Sequence, residues 1–387
     1  MVRGMVAGDA RAPSLAGIAR DWGRIGCLGF GGPPAHVALL RELCVDRRRW
    51  LGAEEFEHGM AATNLLPGPA STQLAILCAW RVRGALGGLV GGTAFIAPGL
   101  VLIIALGALF LGSPPAWLRG VAAGAGAAVA AVALEAGAAL VPASWRRVRG
   151  AARVRWAAYV ALGAACTVVF GAWVVLALLA CGLAELAVRT GAGRTGAAAH
   201  AWPLLAAAAA TGGLAALCWT ALKVGALSYG GGFVIVPLMQ ADAVERHGWM
   251  TGAEFLNAVA LGQATPGPVV RTVAVVGYAA AGVGGALLAA FVAFAPSFAF
   301  VLLGGRHFDA MRADRRALAF LDGAGPAAIG AILGSSVVLA GALSEPWQLV
   351  VLAGAAVVLL VLRRGVVQTL LLAAAAGAVA VLAGLPG

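Results

Sequence analysis

The chain is short of charge. Only 11% of its 387 residues are Asp, Glu, Lys or Arg, whereas a soluble chain carries about 25%. Lysine is almost missing: of the 27 basic side chains, Lys223 alone is not an arginine. This scarcity excludes an ordinary water-soluble fold. The formal charge of +11 does not indicate a nucleic-acid partner, because the arginines punctuate apolar segments rather than form one patch. Metal and thiol chemistry are also poorly provided for. The six cysteines (Cys27, Cys44, Cys78, Cys166, Cys181, Cys218) form no CxxC pair, and the five histidines (His36, His58, His200, His247, His307) lack metal-ligand spacing. No cofactor is implied. HExxH, GxSxG and paired carboxylates on one segment are missing, which argues against an intramembrane enzyme. The missing GxxxxGK[ST] phosphate loop argues against a primary pump. The start, MVRGMVAGDARAP, lacks the apolar core of a signal peptide, so the first hydrophobic segment is expected to be retained.

What is present is apolar length. Hydrophobic residues make up 61%, the mean hydropathy is +0.93, and stretches of the roughly 20 residues needed to cross a bilayer recur throughout. The expectation is an all-α polytopic membrane protein surrounded by lipid.

The chain also repeats itself. At an offset of 199, Gly26 falls on Gly225, Gly31-Gly32 on Gly230-Gly231, Trp50 on Trp249, Glu55-Phe56 on Glu254-Phe255, and Pro67-Gly68-Pro69 on Pro266-Gly267-Pro268. After a short gap Pro98 matches Pro296. Residues 1–188 and 213–387 are read as two homologous repeats. The stretch 189–212 is read as a linker that begins one extra crossing near 202–217. Arginines occupy equivalent loops in opposite halves alternately: Arg81, Arg83, Arg146 and Arg147 in the first, Arg306, Arg312, Arg363 and Arg364 in the second. The positive-inside rule then predicts halves of opposite orientation and about 12–13 crossings. Arg41 and Arg47 to Arg49, among acidic neighbours, read as a charge-paired interfacial segment.

In each half Pro-Gly-Pro interrupts an apolar segment (56–79 and 255–278). Non-helical backbone at membrane depth is tolerated only where it is buried in protein or lines a polar cavity. Inverted-repeat carriers aim half-helix N-termini at anions from such breaks. Pro69 can open a half-helix whose amides, Ala70 to Gln73, point into the break, with Ser71 and Thr72 adding hydroxyls. Arg271 places a full cation where the first repeat has Thr72. Asn64 and Gln263 flank the breaks. Arg24 and Lys223 each lie seven residues, about two helical turns, before a glycine cluster, so each is expected on the same face as its glycines. The candidate substrate site therefore comprises Arg24, Gly31, Gly32, Asn64, Pro67, Gly68, Pro69, Ser71, Thr72 and Gln73, with Lys223, Gly230, Gly231, Gln263, Pro266, Gly267, Pro268 and Arg271. Such a set suits a tetrahedral oxyanion, whose oxygens accept bonds from all sides. Buried carboxylates are the usual proton carriers; Glu135, mid-segment in AVALEAG, and Asp322 are the candidates, with Glu185 read as an interface residue.

FGGPPAH (Phe30 to His36), LPGPASTQLA (Leu66 to Ala75), the second-half YGGGF and TPGP resemble the chromate ion transporter family in its long, two-domain form. The resemblance implies a bacterial inner-membrane carrier with oppositely oriented halves, exporting chromate by means of the proton motive force. The second half departs from the motif, with Val-Val-Arg after Pro-Gly-Pro in place of Ser-Thr-Gln. Sulfate, of the same shape and charge, is the alternative substrate, by uptake or exchange. A homodimer is compatible with the pattern, and a channel is the competing class.

Overall fold

The computed structural model describes residues 13–30, 32–63, 66, 68–112, 114–171, 174–190, 213–228, 235–304 and 314–386. All regular structure among them is helical. The first half runs α1 (Leu15–Leu28), α2 (Pro33–Arg41, continued by a wide π turn, Glu42–Arg47), α3 (Ala53–Thr63), α4 (Ala70–Leu111), α5 (Ala116–Arg146), α6 (Ala151–Phe170) and α7 (Val174–Thr190). The second runs α8 (Gly213–Leu227), α9 (Ile235–Gln240, with π turn Ala241–Arg246), α10 (Gly252–Ala264), α11 (Thr272–Gly304, entered by a 3-10 turn, Val269–Arg271), α12 (Arg315–Gly341), α13 (Pro346–Ala356) and α14 (Val366–Leu382). The order is the same seven helices twice. Local chemistry sets several starts: the Ser14 hydroxyl accepts the Gly17 amide at 3.1 Å, and Thr251 with Glu254 forms a capping box.

The decisive feature is a knuckle in α4 and its twin in α11. Arg83 (φ −145°, ψ 29°) and Gly84 (φ 64°, ψ −159°) leave the helical region, as do Ala281 (φ −154°, ψ 32°) and Gly282 (φ 61°, ψ −153°). Glycine is required where φ is positive with so extended a ψ. At each knuckle the chain reverses: Gly88 packs on Trp80 and Ile76, and Gly285 on the Gly277 carbonyl. Each of these two helices is therefore a hairpin of a short arm (70–82; 272–280) and a long arm (85–111; 283–304).

The short arm also runs antiparallel to α3. Gly59 lies beside Leu77 and Leu74, and Arg81 donates to the Glu55 carbonyl at 2.7 Å. The short arm spans roughly 20 Å and α3 less, against a hydrocarbon core of about 30 Å. Pro-Gly-Pro thus forms the tip of a hairpin of two limbs, each shorter than the hydrocarbon core is thick. The α1–α2 pair turns back likewise, with His36 beside Gly29 and Arg48 beside Asp21 at 3.0 Å. This accounts for the difference from the expected 12–13 crossings: among the described residues five helices are long and apolar enough to cross a membrane, with three shorter apolar ones. Most of the expected extra crossing near 202–217 lies outside the described residues.

The halves interlock. Gly88 meets Leu302 and Gly92 meets Phe298, so the two long arms, equivalent in sequence, lie antiparallel. Further out, small residues let backbones touch: Gly120 and Gly124 of α5 against Gly377 of α14, and Gly163 of α6 against Ala327 of α12. Each half's α5-type helix packs on the other half's final pair.

Candidate functional site

The two hairpin tips meet at the centre of this bundle. Gly68 (φ 118°) and Gly267 (φ 110°) adopt backbone that other residues rarely reach, which explains the glycine between the prolines. The first tip lies against the second half: a Cβ on Gly68 would be 3.4 Å from both the Gly225 carbonyl and Ser297 Oγ. The second tip lies against the first half. The Gly267 amide donates to the Gly29 carbonyl at 3.0 Å, and any side chain at Gly99 would collide with the Arg271 guanidinium and the Pro266 carbonyl. Gly99 and Ser297 are equivalent positions, each following the proline (Pro98, Pro296) at the middle of a long arm. Both tips therefore lie level with the centres of the spanning helices.

Polar atoms without partners collect here. Arg271 is fully buried. Its Nε donates to the Pro268 carbonyl at 2.9 Å and Nη2 to the Thr265 carbonyl at 3.3 Å, while Nη1 has no acceptor. No carboxylate pairs with it among the described residues. Thr72 Oγ1, Ser228 Oγ and Ser297 Oγ are buried without a hydrogen bond, and Gln263 Nε2 lacks an acceptor. A buried unsatisfied group costs about 1–3 kcal/mol, so such groups on the segments that form and flank the two tips, with an uncompensated cation on one of them, have the chemistry of an anion site.

Not every expected donor is free. The Thr72 and Gln73 amides turn back to the Pro69 carbonyl at 2.9 and 3.0 Å, so the amides left facing the tip are those of Ala70 and Ser71. In the second half the Arg271 amide bonds Pro268 at 3.1 Å, leaving those of Val269 and Val270. Gln73 is buried beside Gly68. Gly32 (φ 75°) precedes α2 at its N-terminus. Gly31, Asn64, Pro67, Gly230 and Gly231 lie outside the described residues.

Two expected cations are corrected. Arg24 is exposed, on the opposite side of α1 from Gly23 and Gly26, which pack on the long arm of α4. Lys223 is ion-paired with the buried Asp242, which also accepts from Thr220 at 2.8 Å. A buried carboxylate needs such a counter-ion, so Lys223 is already neutralised. The proton candidates fare similarly. Asp322 is held by Arg189 at 2.9 Å, in one network with Glu185, which bonds Arg155 at 2.8 Å and Arg189 at 2.9 Å. Glu185 is buried at the centre of that network, near the C-terminal end of α7. Glu135 is half-buried on α5.

One residue at the centre was outside the expected site. His36 is fully buried, with Nε2 2.9 Å from the Gly29 carbonyl and Nδ1 3.2 Å from Ser71 Oγ. Phe95 packs edge-on at 5.1 Å.

Helices of spanning length around a buried, cation-bearing polar centre define the class, a multi-pass membrane transporter. The family model for chromate transporters matches residues 16–186 and 215–381, and the chain belongs to the chromate transporter family. It is 34% identical over 331 residues to the chromate transport protein of Cupriavidus metallidurans, covering 82% of this chain and 80% of that one. To the chromate transport protein of Pseudomonas aeruginosa it is 31% identical over 339 residues, 83% of this chain and 80% of that one. No solved structure matches.

Proposed function

We propose that the chain is a secondary carrier that exports chromate from the cytoplasm across the bacterial inner membrane at the expense of the proton motive force, its halves lying in opposite orientations. The observation that carries this reading is Arg271: a fully buried guanidinium with a free Nη1 and no carboxylate partner among the described residues. A cation so placed is stable only if an anion visits it or the surrounding carbonyls hold it; two of its three nitrogens use carbonyls, and the third is left over. The orphan amides of Ala70, Ser71, Val269 and Val270 add two half-helix dipoles. The antiparallel long arms, and arginines exchanged between equivalent loops, support opposite orientation and alternating access. The family and the names of its relatives select chromate among tetrahedral dianions.

The test is chromate uptake into everted vesicles with an imposed proton gradient, with sulfate as competitor. Uptake that stops on uncoupling and in Arg271→Gln supports the reading. Uptake that sulfate suppresses as well as chromate itself moves the substrate to sulfate. Flux that never exceeds equilibrium makes the chain a channel.

A further inference from the structure

We propose that His36 is the proton-binding group of this transporter, and that its protonation hands the Ser71 hydroxyl to the anion. This rests on the tip region being the oxyanion site.

A carbonyl can only accept, so the 2.9 Å contact with Gly29 places the ring hydrogen on Nε2. In the neutral ring Nδ1 is then bare, and the 3.2 Å contact with Ser71 is a bond in which the hydroxyl donates to the ring. Ser71 is buried in the first turn of the short arm of α4. While its hydrogen is spent on His36, it presents only lone pairs to the tip, which repel an anion. A proton added at Nδ1 reverses that bond: Nδ1–H donates to Ser71 Oγ, and the hydroxyl hydrogen is released to point, beside the orphan amides of Ala70 and Ser71, at the anion they face. The Gly29 bond is unchanged in either state. No backbone has to move for the site to change from repelling to donating.

The surroundings add the coupling. The charged group that bears on His36 among the described residues is Arg271, from the second tip; the other neighbours are Phe95, Ser71 and the Gly29 carbonyl. Two cations so close oppose each other until an anion lies with them. Proton and anion therefore bind together, and by linkage each strengthens the other equally. Because they load together, one proton leaves with each dianion: the outward step carries one net negative charge, so the membrane potential drives it while the pH difference opposes it.

The duplication supplies an internal control. At the positions equivalent to His36 and Ser71 the second half has Ile235 and Val270, both buried. The hydrogen-bonded pair exists on one side only, which implies one titrating group at the site rather than two.

The experiment is equilibrium binding of radiolabelled chromate to purified full-length protein in detergent, from about pH 8 to about pH 6, the range in which histidine titrates. Chromate's own titration is common to all variants and cancels in the comparison. Between these limits wild-type affinity is expected to rise about tenfold more than that of His36→Gln, close to the effect of one linked proton over one unit. Ser71→Ala, which keeps the ring and loses the switched hydroxyl, is expected to fall between them. Coincident slopes for wild type and His36→Gln overturn the proposal. So does an unaltered wild-type slope in Ser71→Ala, a change of one oxygen that serves even where His36→Gln does not yield monodisperse protein. Wild type that binds no chromate at any pH overturns the oxyanion site itself, and this proposal with it.

Discussion

The two halves share a backbone and divide the chemistry. Their knuckles agree within about ten degrees in every angle, and both tips carry a glycine with φ above 100°. At the side chains they part. The first tip is served by His36, Ser71 and Thr72, the second by Ile235, Val270 and Arg271. Opposite the arginine the first half keeps Gly99, because the guanidinium fills the space; against the first tip, at Gly68, the second half has room for Ser297. The lesson is that symmetry of fold positions the site, while asymmetry of side chains gives its two sides different chemistry. One half offers groups that can change state, the other a fixed positive charge.

The largest expected effect is at the fixed charge. Arg271→Gln should lower chromate uptake by about a hundredfold or more, since losing a buried charged partner costs roughly 2–5 kcal/mol; initial rates in everted vesicles measure it. Gly99→Ala should approach the same loss, because the new methyl displaces the guanidinium, whereas Ser297→Ala at the equivalent position should change uptake only slightly. If the two are equally harmful, the division between halves fails. Next comes the ion pair on the second half's first hairpin. Asp242→Asn should destabilise the protein by about 3–5 kcal/mol by stranding Lys223, read as a lower melting temperature in detergent. The ion pair on the first half's first hairpin, Asp21 with the partly exposed Arg48, lies at other positions of the repeat and should lose less on Asp21→Asn. Gly84→Ala and Gly282→Ala should each cost about 1–3 kcal/mol, and equally, because the geometry is the same. The smallest effect is expected for Arg24→Ala, which points outward and should leave both uptake and melting within error.

Much of this centre was legible in the chain. The repeat, the Pro-Gly-Pro tips and Arg271 follow from the alignment of the sequence with itself, because a proline-flanked glycine and a buried cation each carry a physical demand that survives without coordinates. The cations at Arg24 and Lys223 misled for a definable reason. Two helical turns put residues seven apart on one face only if the helix continues, and α1 ends at Leu28 and α8 at Leu227, before the glycines. Hydropathy sets 84–111 apart from the segment before it, but it does not show that the limbs on either side of Pro-Gly-Pro fold against each other. His36 was hidden because its meaning depends on Gly29 and Ser71 being brought to it. The available signal was the mismatch with Ile235 at the repeat offset, a polar residue where its twin is aliphatic.

The Gly29 carbonyl has a consequence for how such a protein can evolve. It takes a bond from His36 of its own half and one from Gly267 of the other, so both lone pairs of a single main-chain oxygen are committed, one of them to joining half to half. Main chain cannot be mutated away. Substitutions can retune every donor around that oxygen, and so shift selectivity or proton dependence, while the joint itself is inherited intact by each descendant.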